Sequence, residues 1–530
     1  MTALLFPAAP ALSRRSVLLS FASTGLLAGC GGGGSSSATP GDSGGQPVLT
    51  GPSWRGFGGN PQHTALSSVA AQPLSRIQWR AAVDLQPEYR SGDLLSHYGS
   101  PVITSGNVVI LPVKTGAAGN FKLEAREGLN GALLWSAATD YVMPAHSWTP
   151  SYNPVLTLSN RVYAPDSGGR LWMRTDAGSS SGVVSSAVFY GQALYGANKA
   201  VFDASVLINT PITSDDAGNL FFGFIVTGTN PANLRSGFAR VDANGEGVWV
   251  AAALASADAA IDKVAMNCAP ALSPDLKTVY IAVNTAATPS TRQSGYLLAL
   301  DSTSLATKAR IRLRDPATGA PAWISDNATS SPTVAADGSV FYGVLESNPP
   351  AHNFRGWLLS FSADLSTTRV PGSFGWDDTA SVVPISMVPG YAGPSSYLLM
   401  IKYNNYGGVG TGDGVNRLAI VDPGQSQADS ISGLPVMKEI LTIAGLTPDL
   451  EHPGGVKEWC INTAAVDPIT RSVMVNSEDG YLYRWDLVSN SFTQKIQLTS
   501  GLGEAYTPTA IGPTGSVLAI NNGVLFSVGL

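Results

Sequence analysis

The stretch Ala328 to Gly343, ATSSPTVAADGSVFYG, reads as a turn, a short alternating strand, a second turn and the start of another strand. The Ala-Asp-Gly trio supplies the backbone angles of a tight turn, and the flanking Val, Phe and Tyr suit a pleated, half-buried surface. Related phrases begin at His97 (HYGSPVITSGNVVILP), Ser151 (SYNPVLTLSNRVYAP), Asn209 (NTPITSDDAGNLFFGF), Asn267 (NCAPALSPDLKTVYIAV) and Ala505 (AYTPTAIGPTGSVLAI). Repetition of one two-strand phrase points to a radial or stacked β architecture.

Aligned on the proline after Ser, Asn or Thr, the phrases give Pro101, Pro154, Pro211, Pro270, Pro332 and Pro508, and two degenerate copies place Val382 and Ala464 at the same position. The steps between the eight are 53, 57, 59, 62, 50, 82 and 44 residues. Such spacing suits a four-stranded blade repeated about an axis, with insertions in the loops. Each phrase supplies the first two strands. Third strands end in small acidic turns after GFARVD, YLLALD, RLAIVD and YLYRWD, and Trp135, Trp249 and Trp323 are expected to begin fourth strands.

A Ser-Pro strand, a Gly-aromatic strand, an L-x-x-D turn and a G-x-x-x-W strand, in that order, resemble the repeat of the pyrroloquinoline-quinone-like β-propellers. That group includes quinoprotein dehydrogenases and the propeller lipoprotein of the outer-membrane barrel-assembly machine. The resemblance covers residues 53–530 and implies an all-β, eight-bladed propeller of four-stranded antiparallel blades. The last copy stops at NNGVLFSVGL, one strand short, while LSRIQW, ending at Trp79, has no blade of its own. The N-terminal strand is therefore expected to complete the eighth blade and remove the open sheet edges. SWRGFGGNPQHTALS, from Ser53, is expected to pack across the ring.

Gly 58, Pro 35 and only 13% charged residues agree with many short strands and tight turns. The net charge is -6, and loss of Arg14 and Arg15 with a leader would make it -8; with no basic cluster, nucleic acid is excluded as a partner. Residues 1–30 carry an arginine pair, an apolar run from Val17 to Leu27 and the lipobox-like Leu27-Ala28-Gly29-Cys30. This is the layout of an export signal, too short for an ordinary membrane span. It predicts lipidation at Cys30, with two acyl signals needed for firm anchorage. Residues 31–52 open with a Gly/Ser-rich tether. Gly31 after the cysteine implies delivery to the outer membrane of a Gram-negative cell, facing either the periplasm or the surface.

Cys268 and Cys460 remain. Their repeats lie three blades apart, about 20 Å in such a ring. A disulfide needs Cα atoms within about 7 Å, so two free, buried thiols are expected.

Residues just before each innermost strand gather at one end of a propeller channel. There the copies place His97, Tyr98, His146, Trp148, Tyr152, Asn209, Asn267, Asp326, Asn327, Trp376, Asp377, Asp378, Glu458, Trp459, Glu504 and Tyr506. Aromatic rings can stack on flat or sugar ligands while carboxylates take hydroxyl protons. Of these, His97, Tyr98, His146, Trp148, Trp376, Asp377, Asp378, Glu458, Trp459, Glu504 and Tyr506 form the candidate ligand face. The structural alternative is that they fill space between sheets and cap turns. No catalytic residue, metal set or cofactor is assigned: the five histidines lack helical zinc spacing, no G-x-S-x-G occurs, and the loop from Asn404 lacks the alternating acids of a calcium site. The adjacent cysteine pair of the quinoprotein dehydrogenases is missing.

The reading that follows is a lipid-anchored, exported, monomeric propeller that binds or scaffolds a protein or polysaccharide at the cell envelope. Its alternatives are carboxylate catalysis on carbohydrate through Asp377, Asp378, Glu458 and Glu504, and quinoprotein-type oxidation.

Overall fold

The computed structural model describes residues 48–530 apart from 91–92, 118, 147, 149, 151, 287–291, 327–329 and 502–505. Cys30, the tether up to residue 47, Asn327 and Glu504 lie outside the described residues. Pro47–Leu530 forms one unit, and within it eight small antiparallel sheets surround one axis as an eight-bladed propeller. The innermost strands begin one or two residues after the repeat prolines, as in Val102–Ile103, Val155–Leu156, Ala271–Leu272 and Thr333–Val334. Proline suits this place because a strand's first residue can do without an N–H. Both degenerate copies also open inner strands, at Ser381–Pro384 and Ala465–Asp467.

Ring closure follows the expected route. Strand Arg76–Ala82 lies antiparallel to Val524–Gly529, with Trp79 opposite Ser527, and is the outermost strand of blade 8. Trp79 is 7% exposed, and its indole N–H donates to the Gly128 carbonyl of blade 1 at 2.8 Å. The next tryptophan repeats the device, Trp135 of blade 1 donating to Ala177 O of blade 2 at 2.9 Å. The strand thus completes one sheet and latches it to the next.

Three local expectations are corrected. Trp323 does not begin a fourth strand: that strand of blade 4 is Thr307–Arg312, and Trp323 makes a single bridge to Leu345 of blade 5. Trp135 and Trp249 lie inside their fourth strands, Leu133–Val142 and Gly247–Ala251. Asp422 does not end its strand, which runs Arg417–Ala428 through a bulge between Asp422 and Ser426. Blade 5 has three regular strands, because Pro371 interrupts its outer segment and leaves only the bridges Phe361–Thr368 and Leu358–Gly372.

The segment from Trp54 crosses the ring, as its sequence suggested. Trp54 exchanges backbone hydrogen bonds with Ile103 of blade 1 (2.9 and 2.8 Å), and Arg55 O accepts from Leu156 of blade 2 at 2.7 Å. Arg55 also pairs with Asp216 of blade 3 at 2.6 Å. Pro61, Gln62, Thr64 and Ala65 then accept from Leu272, Val334, Val382 and Val466 of blades 4 to 7 at 2.8 to 3.0 Å, and Gln72 donates to Gly515 of blade 8 at 2.8 Å. One strap touches every blade at the far ends of the inner strands. Cys268 and Cys460 are both buried and are not joined in a disulfide, in agreement with their separation by three blades.

Candidate functional site

At the opposite end, where the inner strands begin, side chains from five blades meet. His97, 1% exposed, stacks on Trp148 with centroids 5.4 Å apart and planes 12° apart. The Tyr506 ring stands edge-on to both, at 5.1 and 5.6 Å. Across the channel, Asn267 of blade 4 places its side-chain nitrogen 3.2 Å from His97 Nδ1. Lys402 of blade 6 is 1% exposed, with Nζ 5.2 Å from the Tyr506 centroid and 3.8 Å from Asp377 Oδ2. Asn267 and Asp377 hold left-handed backbone angles, φ 65° and 57°, a costly conformation that aims each side chain out of its turn. Asp378, also buried, accepts the Lys402 backbone N–H at 3.2 Å and donates its own N–H to Ser330 Oγ at 3.2 Å.

Burial dominates the electrostatics here. It lowers His97 to about 4, with Asp377 opposing and Lys402 assisting, so the imidazole is neutral at pH 7. Burial likewise raises Asp378 well above the ordinary carboxylate range despite the nearby Lys402 charge. Farther around the mouth, Glu458, Cys460 and Glu478 converge. The Cys460 thiol donates to Glu478 Oε2 at 3.0 Å and the Glu458 backbone N–H to Glu478 Oε1 at 3.2 Å. Desolvation raises both carboxyls, and the charge of Glu458 raises Glu478 further.

His97, Trp148, Asp377, Asp378 and Tyr506 thus come together, with Glu458 beside them. Other candidates are used elsewhere. Tyr98 donates to Asp84 Oδ2 at 2.9 Å within the core between blades 8 and 1, and Trp459 packs on Tyr483 and Phe492 at 5.5 and 5.7 Å inside blade 7. His146 turns to Pro144 O (2.7 Å) and Glu88 (3.5 Å). Trp376 is half-buried, its backbone N–H donating to Arg355 O at 3.0 Å. Tyr152 is core, donating to Thr139 Oγ1 at 3.0 Å. Asn209 donates to Val264 O at 2.9 Å, and Asp326 pairs with Lys263 at 2.8 Å. Sequence reading missed Lys402 and Glu478. Lys402 had a usable signal, a charge inside the apolar strand Tyr397–Tyr403, all of it buried. Glu478 had none, since Ser-Glu-Asp-Gly reads as an ordinary polar turn.

No protein-family model and no curated protein sequence matches the chain. Solved structures do. A europium-containing methanol dehydrogenase aligns over 88% of this chain and 89% of its own, at 9% identity and TM-score 0.52. The fold is that of the quinoprotein-type propellers. A quinohemoprotein alcohol dehydrogenase from Comamonas testosteroni matches over 90% of this chain and 77% of its own, at 11% identity and TM-score 0.51. BamB from Moraxella catarrhalis covers 86% and 97%, at 12% identity and TM-score 0.42. At such identities the likeness is one of fold.

His97 and Trp148 leave no room between them for a flat cofactor such as a quinone. A planar group held between two faces needs them about 7 Å apart, two contact distances. Here His97 already covers Trp148, and its Nδ1 edge meets Asn267. Lys402, a buried cation at this end, is engaged by Asp377 and the Tyr506 face.

Proposed function

We propose that the protein is an exported propeller, anchored to the outer membrane through lipid on Cys30, that binds or scaffolds a protein or polysaccharide partner at the cell envelope. The observation that carries this reading is that the groups best suited to chemistry bind one another. His97 reaches Asn267 across the ring and lies on Trp148, and Lys402 is held by Asp377, while the strap from Trp54 spans the far end.

Beside the mouth, two loops of blade 6 build a platform. Val456 donates to Gly414 O at 2.9 Å, Gly445 to Asn416 O at 3.0 Å, and the Asn416 side chain to Val456 O at 2.8 Å. Asp449 braces it through His452 at 2.7 Å. On this platform Leu446 is 51% and Leu450 89% exposed. A hydrogen-bonded loop face with projecting leucines suits partner contact better than turnover.

The reading is tested in cells. Cys30→Ser is expected to move the protein from the membrane to the soluble exported fraction. A photo-crosslinking residue at Leu450 is expected to give one discrete adduct, unchanged by Asp377→Asn. Substrate oxidation on adding quinone and a divalent cation, or oligosaccharide cleavage lost in Asp377→Asn, would overturn it.

A further inference from the structure

The Glu458, Cys460 and Glu478 cluster lies outside the His97 to Lys402 network and is not used by the proposed binding role. Glu458 and Cys460 are two residues apart on the extended run into blade 7, a spacing that directs alternate side chains to one side. Glu478 comes from the turn after strand Ser472–Asn476. That turn is firmly built. Gly480 has φ 87°, Asp479 Oδ1 accepts the Tyr481 N–H at 3.0 Å, and Asp479 Oδ2 accepts from Thr447 and Tyr483, both at 2.6 Å. Sγ and one oxygen from each carboxylate lie within 4.8 Å of one another, and Cys460 is 3% exposed. A fourth polar group is tied to the same run: the Tyr406 phenol, 8% exposed, accepts from Asn404 at 3.4 Å, and Asn404 Oδ1 accepts the backbone N–H of Trp459, between Glu458 and Cys460, at 3.1 Å.

We infer that Glu458, Cys460 and Glu478 form a binding site for a single divalent transition-metal ion of the zinc class. A thiolate excludes magnesium and calcium, which take oxygen ligands, and two carboxylates beside one sulfur suit a borderline ion. Three protein ligands leave a position for water. The thiol-to-carboxylate hydrogen bond at 3.0 Å is the arrangement that metal entry replaces. On binding, the S–H bond breaks, a metal–sulfur bond forms and the proton leaves to solvent; no electron is transferred. The alternative role is structural, with Glu478 serving only to cap the Glu458 N–H and the thiol.

The full chain, stripped with a chelator and titrated with Co²⁺ alone, distinguishes the two. One equivalent is expected to bind with a cobalt–thiolate charge-transfer band that Zn²⁺ abolishes. The band should persist in Cys268→Ser and Cys30→Ser and vanish in Cys460→Ser. Glu478→Gln keeps the thiol and is expected to weaken binding at least about tenfold, since losing a direct ligand costs no less than the roughly 10- to 100-fold that follows loss of an outer-shell partner. The assignment is overturned if the natively folded chain gives no band, or if the band survives Cys460→Ser. Should Cys460→Ser not fold, unchanged Co²⁺ affinity in Glu478→Gln overturns it instead.

Discussion

Two buried histidines contribute to how this molecule responds to acid. His63 in the strap and His97 at the mouth are 0% and 1% exposed, and burial lowers both to about 4. His63 Nδ1 donates to Pro332 O at 2.8 Å, which fixes its proton there. The unfolded chain takes up these protons near pH 6.5, the native state only near 4, so the unfolded state binds more protons in between. The two histidines' contribution to stability is therefore complete above about pH 6.5 and is lost as the pH drops towards 4, by on the order of 3 kcal/mol per histidine. Urea denaturation of His63→Asn/His97→Gln at pH 7 and pH 4.5 is expected to show a smaller acid loss than the native chain. Cys268 gives a second test at this scale. It is 0% exposed and its thiol is pushed up to about 12, so it should stay unmodified by thiol reagents until the chain unfolds.

At the scale of single elements, the closing strand Arg76–Ala82 matters most, because it adds the outermost strand of blade 8 and latches that blade to blade 1. Trp79→Ala removes a buried indole together with its hydrogen bond and is expected to cost about 3–5 kcal/mol. Deleting residues 70–85 should abolish the single cooperative transition. Gly131 carries the latch from the other side: it has φ 73°, and a Cβ there would lie 2.8 Å from the Trp79 ring. Gly131→Ala is expected to destabilise by more than 1 kcal/mol through clash and left-handed strain. An equal melting midpoint for this variant would show that the latch is dispensable. The misplaced Trp323 belongs here too, since Thr307–Arg312 already pairs with Gly295–Asp301 as the fourth strand before the chain reaches it.

For the whole molecule, the strap from Trp54 to Gln72 is the unusual feature: it reaches all eight blades and ties their far ends together. Its removal should leave each sheet intact yet expose the ends of the inner strands. In a chain truncated before Ser67, the amides of Leu272, Val334 and Val382 lose their strap acceptors and are expected to exchange faster by at least about tenfold, one power of ten per 1.4 kcal/mol. Unchanged protection at these amides would show that the blades hold their own edges.

The sequence by itself determined the eight blades, the closing strand and the two separate thiols. Each depends on patterns repeated within a few dozen residues: a proline opening a strand, a glycine in a turn, alternating apolar side chains. The strap was legible as packing across the ring, and the mouth as a set of positions. Only the tertiary structure decided which mouth residues meet. His97 contacts Asn267 from 170 residues away, and Tyr98, one residue on, points into the core instead. Neighbours on an extended run face opposite sides, so which one enters the channel depends on how each blade is seated. Pairs such as Lys402 with Asp377, or Cys460 with Glu478, exist only once loops of different length have brought their strands into register.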